Sequence, residues 1–181
     1  MIRFFLFYFY IIHYRAFRLF FREPLTGDTN YCSSPLLTVR RILSHQSVAN
    51  QTHFVDIGCG EGLVGLFVRS WSDRHVVLHD VQSHFLTVIS FFCRLFCVSR
   101  VMVSSTVLEV YPSPSVFFCV WSTWSSANRK AVLARLLNVM PRGSVLVSVG
   151  VPLSSPALLE IDKISETFAW GKSNVYYYNH A

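Results

Sequence analysis

Two carboxylates and three glycines stand at a spacing that could do chemistry in this chain. The run Phe54-Val55-Asp56-Ile57-Gly58-Cys59-Gly60-Glu61-Gly62 carries an apolar strand into a glycine-rich turn, and an apolar helix pattern follows. Glycine permits a tight turn and lets the backbone approach a ligand closely, beside a helix N-terminus that attracts negative charge. Asp80 falls at the tip of the next strand, where a nucleotide-binding strand-helix-strand unit places a partner for ribose hydroxyls. Two ligands compete for such a site. Gly60-Glu61-Gly62-Leu63-Val64-Gly65 satisfies the dinucleotide pattern G-x-G-x-x-G, with an acidic residue about 20 positions on. Asp56 argues the other way: a carboxylate under the loop would face a pyrophosphate's charge, whereas it suits the cationic ammonium of an amino acid.

These residues need a scaffold that repeats strand and helix. Short apolar runs at 53–57, 75–80, 100–104, 115–121 and 144–149 read as buried strands, and 62–71, 82–96 and 126–140 read as helices between them. Ser125 or Ser126 is the predicted N-cap of the last helix, which Pro141-Arg142-Gly143 closes. A further helix follows Pro35, from the helical spacing of Leu36, Leu37, Val39, Ile42 and Leu43. Such alternation predicts an α/β, Rossmann-like doubly wound parallel sheet. Residues 163–169 and 174–178 are strand-like and joined only by 170–173, which predicts an antiparallel C-terminal hairpin.

The length of 181 residues suits one domain and leaves no room for a separate substrate domain. With 52% hydrophobic and 14% charged residues the chain fills a core easily and is not a disordered sequence. Its net charge of +6 is segregated. Residues 1–22 carry four arginines and no acid, hence +4, whereas residues 23–181 hold twelve basic against ten acidic residues, hence +2. The sequence divides at a turn-rich segment, residues 23–31, into an N-terminal arm (1–22) and a domain (23–181).

The nine-residue apolar run 4–12 is about half of what spans a bilayer, and no small-x-small cleavage site follows it. Arg15, Arg18 and Arg22 share one helical face while Phe17, Phe20 and Phe21 point elsewhere. That pattern predicts a helix lying on an anionic membrane surface, the competing reading being a helix packed on the protein itself. Cys32, Cys59, Cys93, Cys97 and Cys119 form no C-x-x-C pair, so neither a zinc module nor a disulfide framework is predicted, and no metal site. A cytoplasmic protein, peripheral on the inner face of a membrane, fits these features. Cys93 and Cys97 read as two buried small hydrophobes.

The 54–62 run resembles motif I of the class I S-adenosylmethionine-dependent methyltransferases, and the terminal hairpin looks like that family's antiparallel last strand. The resemblance covers about residues 29–181 and implies the seven-stranded methyltransferase sheet. It implies that Asp56 and the Gly58, Gly60 and Gly62 loop hold the methionine moiety of S-adenosyl-L-methionine, and that Asp80 chelates the ribose. Many members carry an aspartate after the third strand. Here Ser105-Thr106-Val107-Leu108 offers Thr106 toward the adenine instead. More loosely, 31–35, 120–123 and 168–172 are similar to segments of small membrane-anchored protein-lysine methyltransferases, which implies a cofactor-covering role for Thr29 and Tyr31.

Methyl transfer from a sulfonium is an in-line displacement, so the protein mainly supplies alignment and a dry pocket. The fourth strand ends in Trp121-Ser122-Thr123-Trp124, without the D/N-P-P-Y/F that accompanies adenine or glutamine amide acceptors. Tyr31, Trp121 and Trp124 could wall a channel for a lysine ammonium. Trp121 and Thr123 are the candidate catalytic residues, against a plain core-packing role. Glu109 and Asp28 read as surface charge, the competing reading being a base if the fold brings either inward. The leading expectation is a membrane-associated methyltransferase acting on a protein lysine. An RNA methyltransferase is the alternative, disfavoured by the domain's modest charge, and a scaffold of this fold without activity is another.

Overall fold

The computed structural model describes residues 9–10, 34–106, 111 and 114–181. Helices and strands alternate over most of this length. Helices α1 (Leu36–Leu43) and α2 (Gln46–Ala49) precede β1 (His53–Ile57), α3 (Leu63–Trp71), β2 (His75–His79), α4 (Ser83–Leu95) and β3 (Val101–Ser104). Then come β4 (Ser115–Val120), a 3-10 turn at Trp121–Thr123, α5 (Ser126–Val139), β5 (Val145–Val149), β6 (Leu158–Phe168) and β7 (Gly171–His180). The seven strands form one sheet in the order β3-β2-β1-β4-β5-β7-β6. Strands β1 to β5 are parallel, and β7 runs antiparallel to both β5 and β6.

The centre of the sheet follows from composition. Strands β4 and β5 are mostly apolar runs, Ser-Val-Phe-Phe-Cys-Val and Val-Leu-Val-Ser-Val, because both faces are covered and every side chain but the half-buried Val120 is shielded. Alternate residues of β1 divide between two cores. Phe54 joins Val39, Leu66, Val76, Ile89 and Phe118 under α1, α3 and α4. Val55 and Ile57 join Phe117, Leu136, Leu146 and Tyr178 on the opposite face under α5. The α5 helix buries Leu136 alone, so Tyr111, Val151 and Leu153 complete that cover. Ser125 is its N-cap, accepting from the Asn128 N–H at 3.2 Å.

Arg74 fastens α1 and α2 to the sheet. Its guanidinium donates to the carbonyls of Val48 at 2.8 Å, Ala49 at 3.2 Å and Gln51 at 2.9 Å around the end of α2, and to that of Leu43 at 3.4 Å at the end of α1. Thr38 donates to the Thr167 carbonyl at 2.8 Å and the Tyr177 hydroxyl to the Ile42 carbonyl at 3.1 Å, which holds α1 against the terminal hairpin.

The hairpin is longer than its sequence pattern predicts. Strand β6 begins at Leu158 rather than 163, and β7 spans Gly171–His180 rather than 174–178. The turn shrinks to Ala169 and Trp170, with Phe168 paired to Gly171. As an edge strand β6 is mostly exposed, so polar Glu160 and Asp162 extend it, and a bulge falls between them.

Two residues of the N-terminal arm are described, and both pack on α4 or its end. Tyr10 is 3% exposed, with its ring edge-on to Phe92 at 4.8 Å, and Phe9 meets Phe96 at 5.1 Å. Tyr10 thus packs on the protein itself, whereas Phe9 stays exposed at 36%. Among the described residues no helix is long and apolar enough to cross a membrane. Cys93 is half-buried and Cys97 exposed, the latter with φ of 50° just beyond α4, so the pair is not the buried couple that the helical spacing predicts.

Candidate functional site

The strand order reverses direction between β1 and β4, since the chain builds outward to β3 on one side and to β5 on the other. In open parallel sheets this point leaves a crevice beyond the strands' carboxyl ends, where ligands bind. Two sequence motifs flank it. The glycine turn leaves β1 and the Trp121–Trp124 segment leaves β4.

The turn is built from left-handed backbone. Gly58, Gly60 and Gly62 have φ of 77°, 49° and 71°, which side-chain-bearing residues adopt at a cost. Gly58 and Cys59 both donate to the His79 carbonyl, at 2.8 and 2.9 Å, and Gly62 donates to the Cys59 carbonyl at 2.8 Å, so the turn coils over the end of β2. Gly65, one turn into α3, serves packing: a Cβ there would stand 2.1 Å from Leu78 Cδ2 and 3.0 Å from a Val76 methyl. The dinucleotide-like glycine spacing thus has a helix-on-strand explanation in its third member.

Asp80 clamps this loop. Its Oδ2 accepts from the Gly60 N–H at 2.8 Å and its Oδ1 from the Gln82 N–H at 2.9 Å, joining the glycine turn to the start of α4. Each carboxylate oxygen retains a second lone pair, so the clamp leaves acceptor capacity for hydroxyls. Beside it His79 is buried, and burial is the main cause of a lowered pKa. The neutral ring lies 3.1 Å through Nδ1 from the Ser104 carbonyl, an acceptor, so Nδ1 carries the proton.

Asp56 is 4% exposed and its Oδ2 has no hydrogen-bond partner. Burial pushes its pKa up to about 7 and the charge of Asp80 adds to this, while a backbone hydrogen bond from Gly65 pulls the other way. An uncompensated carboxylate at this depth favours a cation or a proton. Cys59 and Cys119 lie within the influence of Asp56, and burial first, then that charge, raises both thiols well above their usual range. They are neutral small hydrophobes rather than nucleophiles. Among the described residues no group of histidine, cysteine or carboxylate side chains could hold a metal ion.

The β4 exit departs from its sequence reading. Trp121 is fully buried, at 0% exposure, in the core under α5, and so does not wall an open channel. Trp124 takes the place at the crevice. A Cβ on Gly58 would stand 2.8 Å from Trp124 Cζ2, so the indole rests on the face that the glycine leaves open. Trp121 supports it edge-on at 5.4 Å and 70°, and the Trp124 N–H donates to the Trp121 carbonyl at 3.1 Å. Ser122 lies against Gly150 at the end of β5. Thr123 is in the 3-10 turn between the two tryptophans. Thr106 is exposed at the carboxyl end of β3, its N–H and carbonyl both bonded to the Ser104 hydroxyl. Thus Asp56, Gly58, Gly60, Gly62 and Asp80 are together, and Thr106 lies two strands away on the same sheet edge. Tyr31, Thr29, Asp28 and Glu109 lie outside the described residues.

Sequence reasoning missed one element of the site. The Tyr10 hydroxyl donates to the Glu61 carbonyl at 2.6 Å, so the arm holds the glycine turn from outside. A tyrosine within an apolar run gives no spacing signal that could have revealed this.

The site residues fit an amino-acid-bearing nucleoside: an orphaned buried carboxylate oxygen for an ammonium, a left-handed glycine turn, and a second acid with lone pairs in reserve. No family model and no curated protein matches the chain. Solved structures do. The chain is similar to mitomycin 7-O-methyltransferase MmcR (TM-score 0.61, 11% identity), covering 81% of this chain and 54% of that one, so it spans about half of MmcR's length. It is similar to the methyltransferase candidate yhhF from Escherichia coli (TM-score 0.64, 11% identity, 84% of this chain and 90% of that one). A mutant of MtNAS in complex with S-adenosylmethionine is a third (TM-score 0.56, 10% identity, 80% and 63%). With the strand order and the antiparallel terminal hairpin, these likenesses establish that the chain has the fold of the class I S-adenosylmethionine-dependent methyltransferases.

Proposed function

We propose that the protein binds S-adenosyl-L-methionine in the crevice between β1 and β4 and transfers its methyl group to a lysine side chain of a protein substrate. The observation that carries the cofactor assignment is Asp56, a buried carboxylate with an unpartnered oxygen under a left-handed glycine turn at the sheet's switch point. When bound, the cofactor supplies an electrophilic methyl on a positively charged sulfur. Asp56 would hold the ammonium, and the glycine turn would let the backbone lie close to the methionine moiety. Asp80 would bond the ribose with the lone pairs its clamp leaves free, and Thr106 would approach the adenine. Thr123, in the turn after β4, is the proposed polar neighbour of the acceptor, and Trp121 acts by fixing Trp124 from the core.

The amine acceptor is supported by the resemblance of residues 120–123 and 168–172 to segments of protein-lysine methyltransferases. The modest charge of residues 23–181 favours protein over RNA. Peripheral attachment to an anionic membrane is proposed for the remainder of residues 1–22. Incubating the protein with tritiated-methyl cofactor and a cell extract tests the acceptor. Label should appear in protease-sensitive, nuclease-resistant material and be recovered as methyllysine after hydrolysis. Label in nuclease-sensitive material would replace lysine by RNA, and no label in any fraction would remove the activity.

A further inference from the structure

We infer that Trp124 recognises the positive charge at the cofactor's sulfur, so that the site favours the charged methyl donor over its neutral thioether product. This rests on the S-adenosylmethionine reading proposed above.

Trp124 is the aromatic ring set on the glycine turn. Its Cζ2, Cε2 and Cη2 lie 2.8, 3.6 and 3.8 Å from where a Cβ on Gly58 would stand, so the benzene half of the indole covers that residue. Its position is fixed from behind. Trp121, fully buried, meets it edge-on at 5.4 Å, and the backbone N–H of Trp124 is bonded to the Trp121 carbonyl. Trp124 itself is only partly buried. An indole face carries the strongest aromatic quadrupole among the side chains and attracts a cation within about 6 Å of its centroid.

A donor molecule bound here brings two positive centres. The ammonium has its counterpart in Asp56, buried beneath the turn. The sulfonium is the centre from which the methyl departs, so it must lie on the acceptor's side of the crevice, which is the β4 exit. Trp124 stands at that exit. Transfer of the methyl leaves its bonding pair on sulfur and converts the sulfonium to an uncharged thioether. The ammonium contact survives this change, whereas attraction to the indole face does not. Trp124 therefore distinguishes the two states of the cofactor, and its loss of grip after transfer promotes product release.

The test compares affinities for S-adenosylmethionine and S-adenosylhomocysteine by calorimetry on the full chain, without an acceptor. In Trp124→Leu, which keeps an apolar wall without a π face, the preference for the charged compound should fall about five- to tenfold relative to wild type. Trp124→Phe, with a weaker quadrupole, should fall in between, and circular dichroism and melting establish that both variants fold. A Trp124→Leu protein that loses affinity for both compounds equally overturns the inference and leaves an apolar wall. If the wild-type protein binds neither compound, the parent reading fails and this one with it.

Discussion

Lowering the pH from 7.5 to 6 should weaken S-adenosylmethionine binding about eightfold, through Asp56. The carboxyl is buried beside Asp80 and titrates at about 7 in the free protein. An ammonium partner requires it ionised, so binding must expel any proton it carries. At pH 6 a group titrating at about 7 is roughly nine-tenths protonated, and at pH 7.5 about one-quarter. The observed affinity scales with the ionised fraction, which gives the factor of about eight, or roughly 1.2 kcal/mol. Calorimetry in buffers of different ionisation enthalpy counts the protons: about 0.9 released per ligand at pH 6, falling to about zero at pH 7.5, where uptake by the ligand's partly deprotonated amine offsets the release from Asp56. The ligand's own α-ammonium, near pKa 8, begins to lose charge at the top of this range, so affinity should pass through a maximum. Asp56→Asn shares the ligand's titration but lacks the carboxyl, so it should bind more weakly with no proton released. The same residue sets a stability trend of fixed sign. Its folded pKa lies above the ordinary 3.8, so its stabilising contribution is full below about pH 4 and is lost as pH rises through 7. The magnitude is on the order of 4 kcal/mol. Asp56→Asn should therefore be the more stable protein at pH 8. Proton release near zero at pH 6, with affinity constant from 6 to 7.5, would refute the placement of the ammonium on Asp56.

The packing around the site sets three further outcomes. Asp80→Ala should destabilise the fold by about 3–5 kcal/mol in urea titration, because the Gly60 and Gln82 N–H groups both lose a charged acceptor. Asp80→Asn should cost less and, once folded, bind S-adenosylmethionine more weakly by about 1–3 kcal/mol; unchanged affinity would remove the ribose from this residue. Tyr10→Phe should lower stability by about 1 kcal/mol and weaken the cofactor by a few fold, since the hydroxyl braces the Glu61 carbonyl in the glycine turn. An unaffected Tyr10→Phe protein would show that the arm does not support the site. Gly65→Ala should destabilise by about 1–3 kcal/mol despite alanine's better helix propensity, because its methyl would strike the wholly buried Leu78 side chain; a higher melting temperature would contradict this.

The parts of this fold that were legible in the sequence are those where one local pattern leads to one structure. Five apolar runs between helical patterns marked the parallel strands, because a strand covered on both faces needs little else. The glycines at 58, 60 and 62 marked the turn, because their backbone angles exclude most other residues. Asp80 was legible as a site residue but not as a loop clamp, since its bonds to Gly60 and Gln82 depend on where β2 ends relative to β1. The same limitation explains the tryptophans. Trp121 and Trp124 are three residues apart and chemically alike, and the one-turn 3-10 segment between them sends the first into the core and leaves the second at the crevice. Nothing in residues 121–124 specifies that segment, because it is set by packing against β5 and α5. The N-terminal half of β6 was missed because an exposed edge strand lacks the apolar alternation that marks a half-buried one.

The identity of the ligand in the β1–β4 crevice decides the functional assignment, and a calorimetric titration of the full-length protein with S-adenosylmethionine, run beside NADH, tests it most directly. Saturable binding of one S-adenosylmethionine per chain, lost or strongly weakened in Asp56→Asn, is the predicted result. Absence of binding by a folded protein, or tighter binding of NADH, would contradict it.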